Sequence, residues 1–203
     1  MVTYTAAMTA IETEVKFRVT DIAQLERDLQ RLGFRLLTPS AFERNTLYDT
    51  PERSLLVRHE ILRLRSYGGR WVLTHKAVPP DYDPAERYKQ RVETETLVED
   101  GDAIATIFER LGLRPVFVYE KWRTEWADVT GHCVIDATAI GVFAELEGPV
   151  EWIDAACRGL RLAASEFTTM SYGRLFEIWK SETGSDARDM TFDAIGVATP
   201  SPR

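Results

Sequence analysis

The sequence predicts an α+β domain: a closed antiparallel β-barrel with a polar lumen and surrounding helices. Three observations lead there. Stretches of strict two-residue alternation recur, each with charged side chains on one face and apolar ones on the other. Capped amphipathic segments lie between them. The opening pattern then returns in the second half of the chain. A single charged face would suit a strand lying in water. Repeated glutamates and arginines do not, because solvated strand faces favour Thr, Ser, Gln and Lys. The helices can cover the apolar faces, which turns the charged faces inward.

The first strand is read in residues 11–19, with Glu12, Glu14, Lys16 and Arg18 on one face and Thr13, Val15, Phe17 and Val19 on the other. Asp21 can cap a helix carrying Ile22, Leu25, Leu29 and Leu32, which stops at Gly33. Leu62-Arg63-Leu64-Arg65 places two arginines together, and residues 71–76 do the same for Thr74 and Lys76. Residues 77–90, with Pro79, Pro80 and Pro84, read as a loop. Arg91, Glu93 and Glu95 share a face, as do Lys121, Arg123 and Glu125. Between them, Asp100 or Asp102 can cap a helix with Ile104, Ile107, Phe108 and Leu111, ending at Gly112. Asp136 follows Val134 and Ile135, and Glu145 and Glu147 flank Leu146. Two more helices are expected, at about residues 152–159 and 172–180. Residues 1–183 form a single domain in this reading, and 184–203 a flexible tail.

Ile11-Glu-Thr-Glu, a capped helix and Leu32-Gly33-Phe34-Arg35 align with Val92-Glu-Thr-Glu, a capped helix and Leu111-Gly112-Leu113-Arg114. Beyond the helices, Glu43-Arg44 aligns with Glu120-Lys121, residues 61–65 with 133–137, and 72–76 with 143–147. A repeat this long is two halves of one barrel rather than a solenoid unit. Its chemistry is asymmetric, with Arg63, Arg65 and Lys76 in one half and Asp136, Glu145 and Glu147 in the other.

Composition narrows the function. The chain has 203 residues, 44% hydrophobic and 28% charged, with a formal net charge of −7. That length can bury a core without disulfides, and no apolar run approaches the ~18 residues of a membrane span. An acidic balance argues against a nucleic-acid surface. Met1–Ala10 lacks a basic n-region, so no signal peptide is expected. Cys133 and Cys157 have neither disulfide-scaffold nor zinc spacing, and a reducing cytoplasm fits. His59, His75 and His132 read as structural or surface residues. Basic groups beside carboxylates in a lumen could simply pair. A polyanion with divalent cations compensates them more fully, because arginines and lysines take phosphate oxygens while carboxylates hold the metal.

Glu12-x-Glu14-x-Lys16 resembles the signature of the CYTH domain, or triphosphate tunnel metalloenzymes. The ordered set that follows agrees with it: Leu47-Tyr48-Asp49-Thr50-Pro51, Leu62-Arg63-Leu64-Arg65, Leu73-Thr74-x-Lys76, Arg91-x-Glu93-x-Glu95, Lys121-x-Arg123, Asp136, Glu145-x-Glu147 and Ser171-Tyr172. The resemblance implies an eight-stranded tunnel barrel. It also implies triphosphate binding by Lys16, Arg63, Arg65, Lys76, Arg91, Lys121 and Arg123, with Lys180 closing over the substrate. It assigns Mg²⁺ or Mn²⁺ to Glu12, Glu14, Asp136, Glu145 and Glu147, and chemistry to Glu14, Lys76 and Glu95, the last orienting water. Arg18 is left between phosphate contact and ion pairing. The implied substrate is tripolyphosphate, thiamine triphosphate or ATP, with no nucleic acid or membrane partner, handled by a monomer or homodimer. Hydrolysis is the expected reaction. A class IV type adenylyl cyclase and a non-catalytic phosphate-binding module are the alternatives.

Overall fold

A computed structural model describes residues 8–81, 83 and 87–200. Pro84 of the expected loop and the last three residues of the expected tail lie outside them. The strands are β1 (Met8–Arg18), β2 (Arg35–Asp49), β3 (Ile61–Tyr67), β4 (Arg70–Ala77), β5 (Lys89–Val98), β6 (Arg114–Ala127), β7 (His132–Thr138), β8 (Gly141–Glu147) and the two-residue β9 (Phe167–Thr168). Helices α1 (Ile22–Arg31), α2 (Ser54–Val57), α3 (Gly101–Arg110), α4 (Val150–Leu160), α5 (Tyr172–Thr183) and α6 (Phe192–Ile195) are interspersed. The sheet runs β5-β4-β3-β2-β6-β7-β8-β1-β9, and a β5–β1 pairing closes eight of these strands into an antiparallel barrel. β9 pairs with β1 only at Lys16 and Phe17, beyond the point where β5 begins.

Local chemistry explains the elements. The Asp21 carboxylate accepts the Gln24 N–H at 2.9 Å and starts α1, which ends at Leu32 before Gly33 at φ +91°. Asp100, rather than Asp102, caps α3 by accepting the Ala103 N–H at 2.9 Å. The outer faces of β1, β7 and β8 bury Val15, Phe17, Cys133, Ile135 and Leu146 against Leu25 and Leu29 of α1 and Ile153 and Cys157 of α4. Each such aliphatic or aromatic side chain contributes about 1.5–3 kcal/mol on full burial. A second apolar cluster joins Tyr119 and Phe143 of the barrel to Tyr172 and Phe176 of α5 and to Met190.

The expected tail is not loose. Met190 is fully buried and bridges Tyr119, with Met190 N donating to Val118 O and Glu120 N to Met190 O. Phe192 is 2% exposed. The segment occupies the edge of β6 where β7, paired only from Lys121 onward, has already ended. An unpaired β6 edge beside two large apolar side chains is reason enough for it to dock.

The two halves repeat as strand, helix, three strands, and Ile11 pairs directly with Val92, its counterpart in the alignment. In the middle strands the alignment is one residue out of phase. Glu43 faces the lumen opposite Lys121, whereas its aligned partner Glu120 bonds to Arg44 on the outside. Register shifts along β2–β6 break the period, and a one-residue slip moves a side chain to the other face.

Candidate active site

Alternation along six of the strands drives acidic and basic side chains into one lumen, a cavity of about 480 Å³. Its lining includes Glu12, Glu14 and Lys16 of β1, Arg63 and Arg65 of β3, Lys76 of β4, Lys89, Glu93 and Glu95 of β5, Lys121 and Arg123 of β6, and Glu145 and Glu147 of β8. β2 supplies Glu43 behind them, with no exposure. These side chains sort into two regions. Around β2, β3 and β6 the cations predominate. Glu43 lies 3.2 Å from Lys121, 3.8 Å from Arg123 and 4.0 Å from Arg65. Asp136 accepts from Lys121 at 2.9 Å and from Arg123 twice at 2.7 Å. Arg63 donates to Thr74 Oγ1 at 3.1 Å, and Thr74 donates to Glu95 at 3.1 Å. The buried Nε–H groups of Arg63 and Arg65 have no acceptor among the described residues.

Around β1, β5 and β8 the carboxylates predominate. Lys76 bridges Glu12 at 2.5 Å and Glu93 at 3.1 Å. Lys89 holds Glu14 at 2.5 Å, and Lys16 holds Glu145 at 2.6 Å. Glu147 lies directly across from Glu14 in the β1–β8 register and forms no ion pair among the described residues.

The electrostatics follow this division. Partial loss of water around the carboxyl of Glu147, a residue exposed as a whole, raises its pKa, the neighbouring Glu12 and Glu14 add to it, and it reaches about 7. Glu12 is also raised, by burial first and against the pull of Lys76. Burial works the same way on Glu43, but Lys121, Arg123 and Arg65 outweigh it and hold that carboxyl far below its usual range. Glu145 is held down likewise by Lys16 and Arg123. Burial disfavours the Lys16 ammonium, yet Glu145 and Glu14 reverse the effect and raise its pKa. These opposed environments let one lumen present anionic and cationic walls together.

The donor chemistry suits a hard divalent ion. Glu12, Glu14 and Glu147 line the same wall. Glu14 raises the pKa of Glu12, and both raise that of Glu147, while against burial Lys89 and Lys16 help hold Glu14 itself below its usual value. Oxygen-only donor sets of this kind are what Mg²⁺ and Mn²⁺ select. Among the described residues no group of three ligands has already converged around a point. Glu12 and Glu14 are turned to Lys76 and Lys89.

The structure brings together most of the residues singled out from the sequence, with different partners for some. Asp136 is buried behind Lys121, Arg123 and Tyr172, and its oxygens are engaged by all three. Lys180 pairs with Glu177 at 2.8 Å on α5 and lies outside the cavity lining. Arg91 is opposite Glu12 on β5 and donates to the Gln90 carbonyl at 2.7 Å, also outside the lining. Arg18 is exposed and stacks on Phe143 at 4.9 Å. Sequence reasoning missed Glu43 as a site residue, although it shares an alternating face with Asn45 and Leu47. It missed Lys89, assigned to the loop although it is the first residue of β5.

The family model of the CYTH domain matches residues 10–164. A Methanocaldococcus jannaschii protein, named provisionally as an adenylate cyclase, is 28% identical over 145 residues, 71% of this chain and 80% of its own length. The solved structure of a Vibrio parahaemolyticus protein, also named provisionally as an adenylate cyclase, superposes with a TM-score of 0.71 at 20% identity, over 84% of this chain and 99% of the other. A Hippeastrum protein named as an adenylyl cyclase, and described as having a dominant triphosphatase activity, gives 0.61 at 17% identity, covering 86% and 96%. Both structures share the barrel fold. No helix among the described residues is long and apolar enough to cross a membrane.

Proposed function

The chain belongs to the CYTH domain family, and from that premise we propose that it is a divalent-metal-dependent triphosphatase, cleaving a phosphoanhydride bond of an inorganic or organic triphosphate held in the tunnel. One observation carries the reading. The lumen has a cationic wall of Arg63, Arg65, Lys121 and Arg123 facing a carboxylate wall of Glu12, Glu14 and Glu147, the two halves of a metal–triphosphate site. Tripolyphosphate, thiamine triphosphate and ATP all carry the required chain.

Lys16, Arg63, Arg65, Lys121 and Arg123 would take phosphate oxygens and hold the chain in line, aided by the N–H donors that Arg63 and Arg65 have left over. A divalent ion held by Glu12, Glu14 and Glu147 would supply charge neutralisation at a phosphoryl oxygen. Glu145 and Asp136 would serve by fixing Lys16 and Arg123. Lys76, between Glu12 and Glu93, would offer its ammonium to a terminal oxygen. Glu95, fixed by Thr74 and Arg65, would orient the attacking water.

Cyclisation of ATP is the second reading, and the name of the M. jannaschii relative favours it. Hydrolysis asks less of the site, because water needs no pocket whereas cyclisation must hold base and ribose in one pose. Phosphorus NMR with tripolyphosphate and with ATP, each with Mg²⁺ or Mn²⁺, separates them. Orthophosphate with pyrophosphate or ADP is the expected result. Cyclic AMP with pyrophosphate would replace hydrolysis by cyclisation, and line broadening without turnover would leave a binding module. Glu14→Gln should keep the fold and lose most turnover.

A further inference from the structure

We propose that Tyr172 is a positioning residue of the tunnel, setting where Lys16 and Lys121 hold their ammonium groups and so coupling α5 to phosphate recognition. This rests on the triphosphate reading above. Tyr172 is the first residue of α5, started by Ser171, whose hydroxyl accepts the Arg174 N–H at 3.2 Å. Its side chain enters the barrel instead of lying along the surface. The hydroxyl donates to Asp136 at 2.7 Å, and the residue is 8% exposed.

Lys16 on β1 lies 4.6 Å from the ring centroid and Lys121 on β6 lies 5.1 Å from it. β7 and β8 separate these strands, so one ring spans two walls of the lumen. Without that ring, Lys16 would be left to Glu145 at 2.6 Å and Glu14 at 3.9 Å, and Lys121 to Glu43 at 3.2 Å and Asp136 at 2.9 Å. The ring's negative face offers each ammonium a second attraction that does not consume its hydrogen-bond donors. The hydroxyl meanwhile donates to the same Asp136 oxygen that accepts from Lys121 and Arg123, tying the ring to the carboxylate that anchors both cations.

Rigid anchoring makes this possible. β9 fastens the chain to β1 just before α5, and Met190 bridges Tyr119 just after it. The Tyr172 ring itself packs against Phe143 and Tyr119, with centroids 5.8 Å away in each case. Neither Lys180, turned to Glu177, nor any other side chain of α5 enters the cavity lining, apart from the N-terminal Tyr172 and Gly173.

The test compares the full chain with Tyr172→Phe, Tyr172→Leu and Leu175→Ala, the last loosening α5 without touching the lumen. Two readouts are needed: tripolyphosphate affinity by calorimetry with Mg²⁺, and the NMR signals of the Lys16 and Lys121 ammonium groups without ligand. Tyr172→Phe should keep both lysine signals and bind roughly threefold more weakly, through the lost bond to Asp136. Tyr172→Leu should shift both signals and bind roughly tenfold more weakly. Turnover at saturation should change far less than KM in both. Wild-type affinity and unmoved signals in Tyr172→Leu would overturn the proposal. So would an equal loss in Leu175→Ala, which would leave Tyr172 a helix anchor only. A wild-type chain that binds no tripolyphosphate would instead remove the triphosphate reading, while the lysine signals would still judge the geometry.

Discussion

Two glutamates on opposite walls of the lumen show how far environment sets the behaviour of one residue type. Glu43 is fully buried among Lys121, Arg123 and Arg65. Removing one member of such a buried cluster leaves uncompensated charge, at a cost of about 3–5 kcal/mol. Glu43→Ala should therefore lower stability by roughly that amount in urea unfolding, with Glu43→Gln losing less. Glu147 is the opposite case. Its folded-state pKa of about 7 is above the unfolded value, so the native state binds the extra proton. That contribution is complete at low pH and is lost as pH rises through about 7. Glu147→Gln should be more stable than the parent at pH 8 without metal, and the advantage should vanish below about pH 4.5 in pH-dependent thermal melts. Divalent ions should bind the parent more tightly as pH rises over the same window, because they need the deprotonated carboxylates.

Individual elements are fixed by caps and by the backs of the strands. The N-terminus of α3 meets the barrel at Gly101, where an added Cβ would lie 2.1 Å from the Trp71 indole. Trp71 points outward from β4, opposite in phase to the inward Thr74 and Lys76. The helix can approach that closely only with glycine at this position. Gly101→Ala should therefore cost about 1–3 kcal/mol in urea unfolding through the shift of Trp71. That outweighs the ~1 kcal/mol gain in helix propensity. If the variant matches the parent, α3 does not depend on this contact. The same alternation that seats Trp71 outside delivers Lys76 inside, so each strand serves the core and the site with alternate residues.

The whole molecule is a pseudo-symmetric barrel made asymmetric by its charges and by what is added at one end. β9 and the Met190 bridge complete edges of β1 and β6 that the barrel strands leave open, and α5 lies between these two attachments. Ending the chain after Gly184 would remove the buried Met190 and Phe192, a loss of about 3–6 kcal/mol at typical burial values. The shortened chain should melt earlier, and its α5 amides should exchange faster while those of β1 and β8 stay protected. Equal protection of α5 in both chains would mean that the segment contributes no anchoring.

Local pattern made much of this legible. Period-two charge placement identified Glu12, Glu14 and Lys16 as one face, and the alternation of Arg63, Arg65 and Lys76 with apolar neighbours made their common lumen readable in the sequence. The caps at Asp21 and Asp100 are equally local, each set by a side chain reaching three residues along the chain. Pairing of residues far apart in sequence was decided only in three dimensions. Asp136 and Glu145, expected beside metal, are committed to Lys121, Arg123 and Lys16 because neighbouring strands bring those cations within hydrogen-bond reach. Glu43 became a lumen-facing residue and residues 185–197 a docked segment through register shifts and an edge left open by β7, while Lys180 became a half-buried partner of Glu177. Alternation fixes which face of a strand a side chain occupies. Register across the barrel fixes which opposite charge it meets, and that distance sets both its pKa and its role.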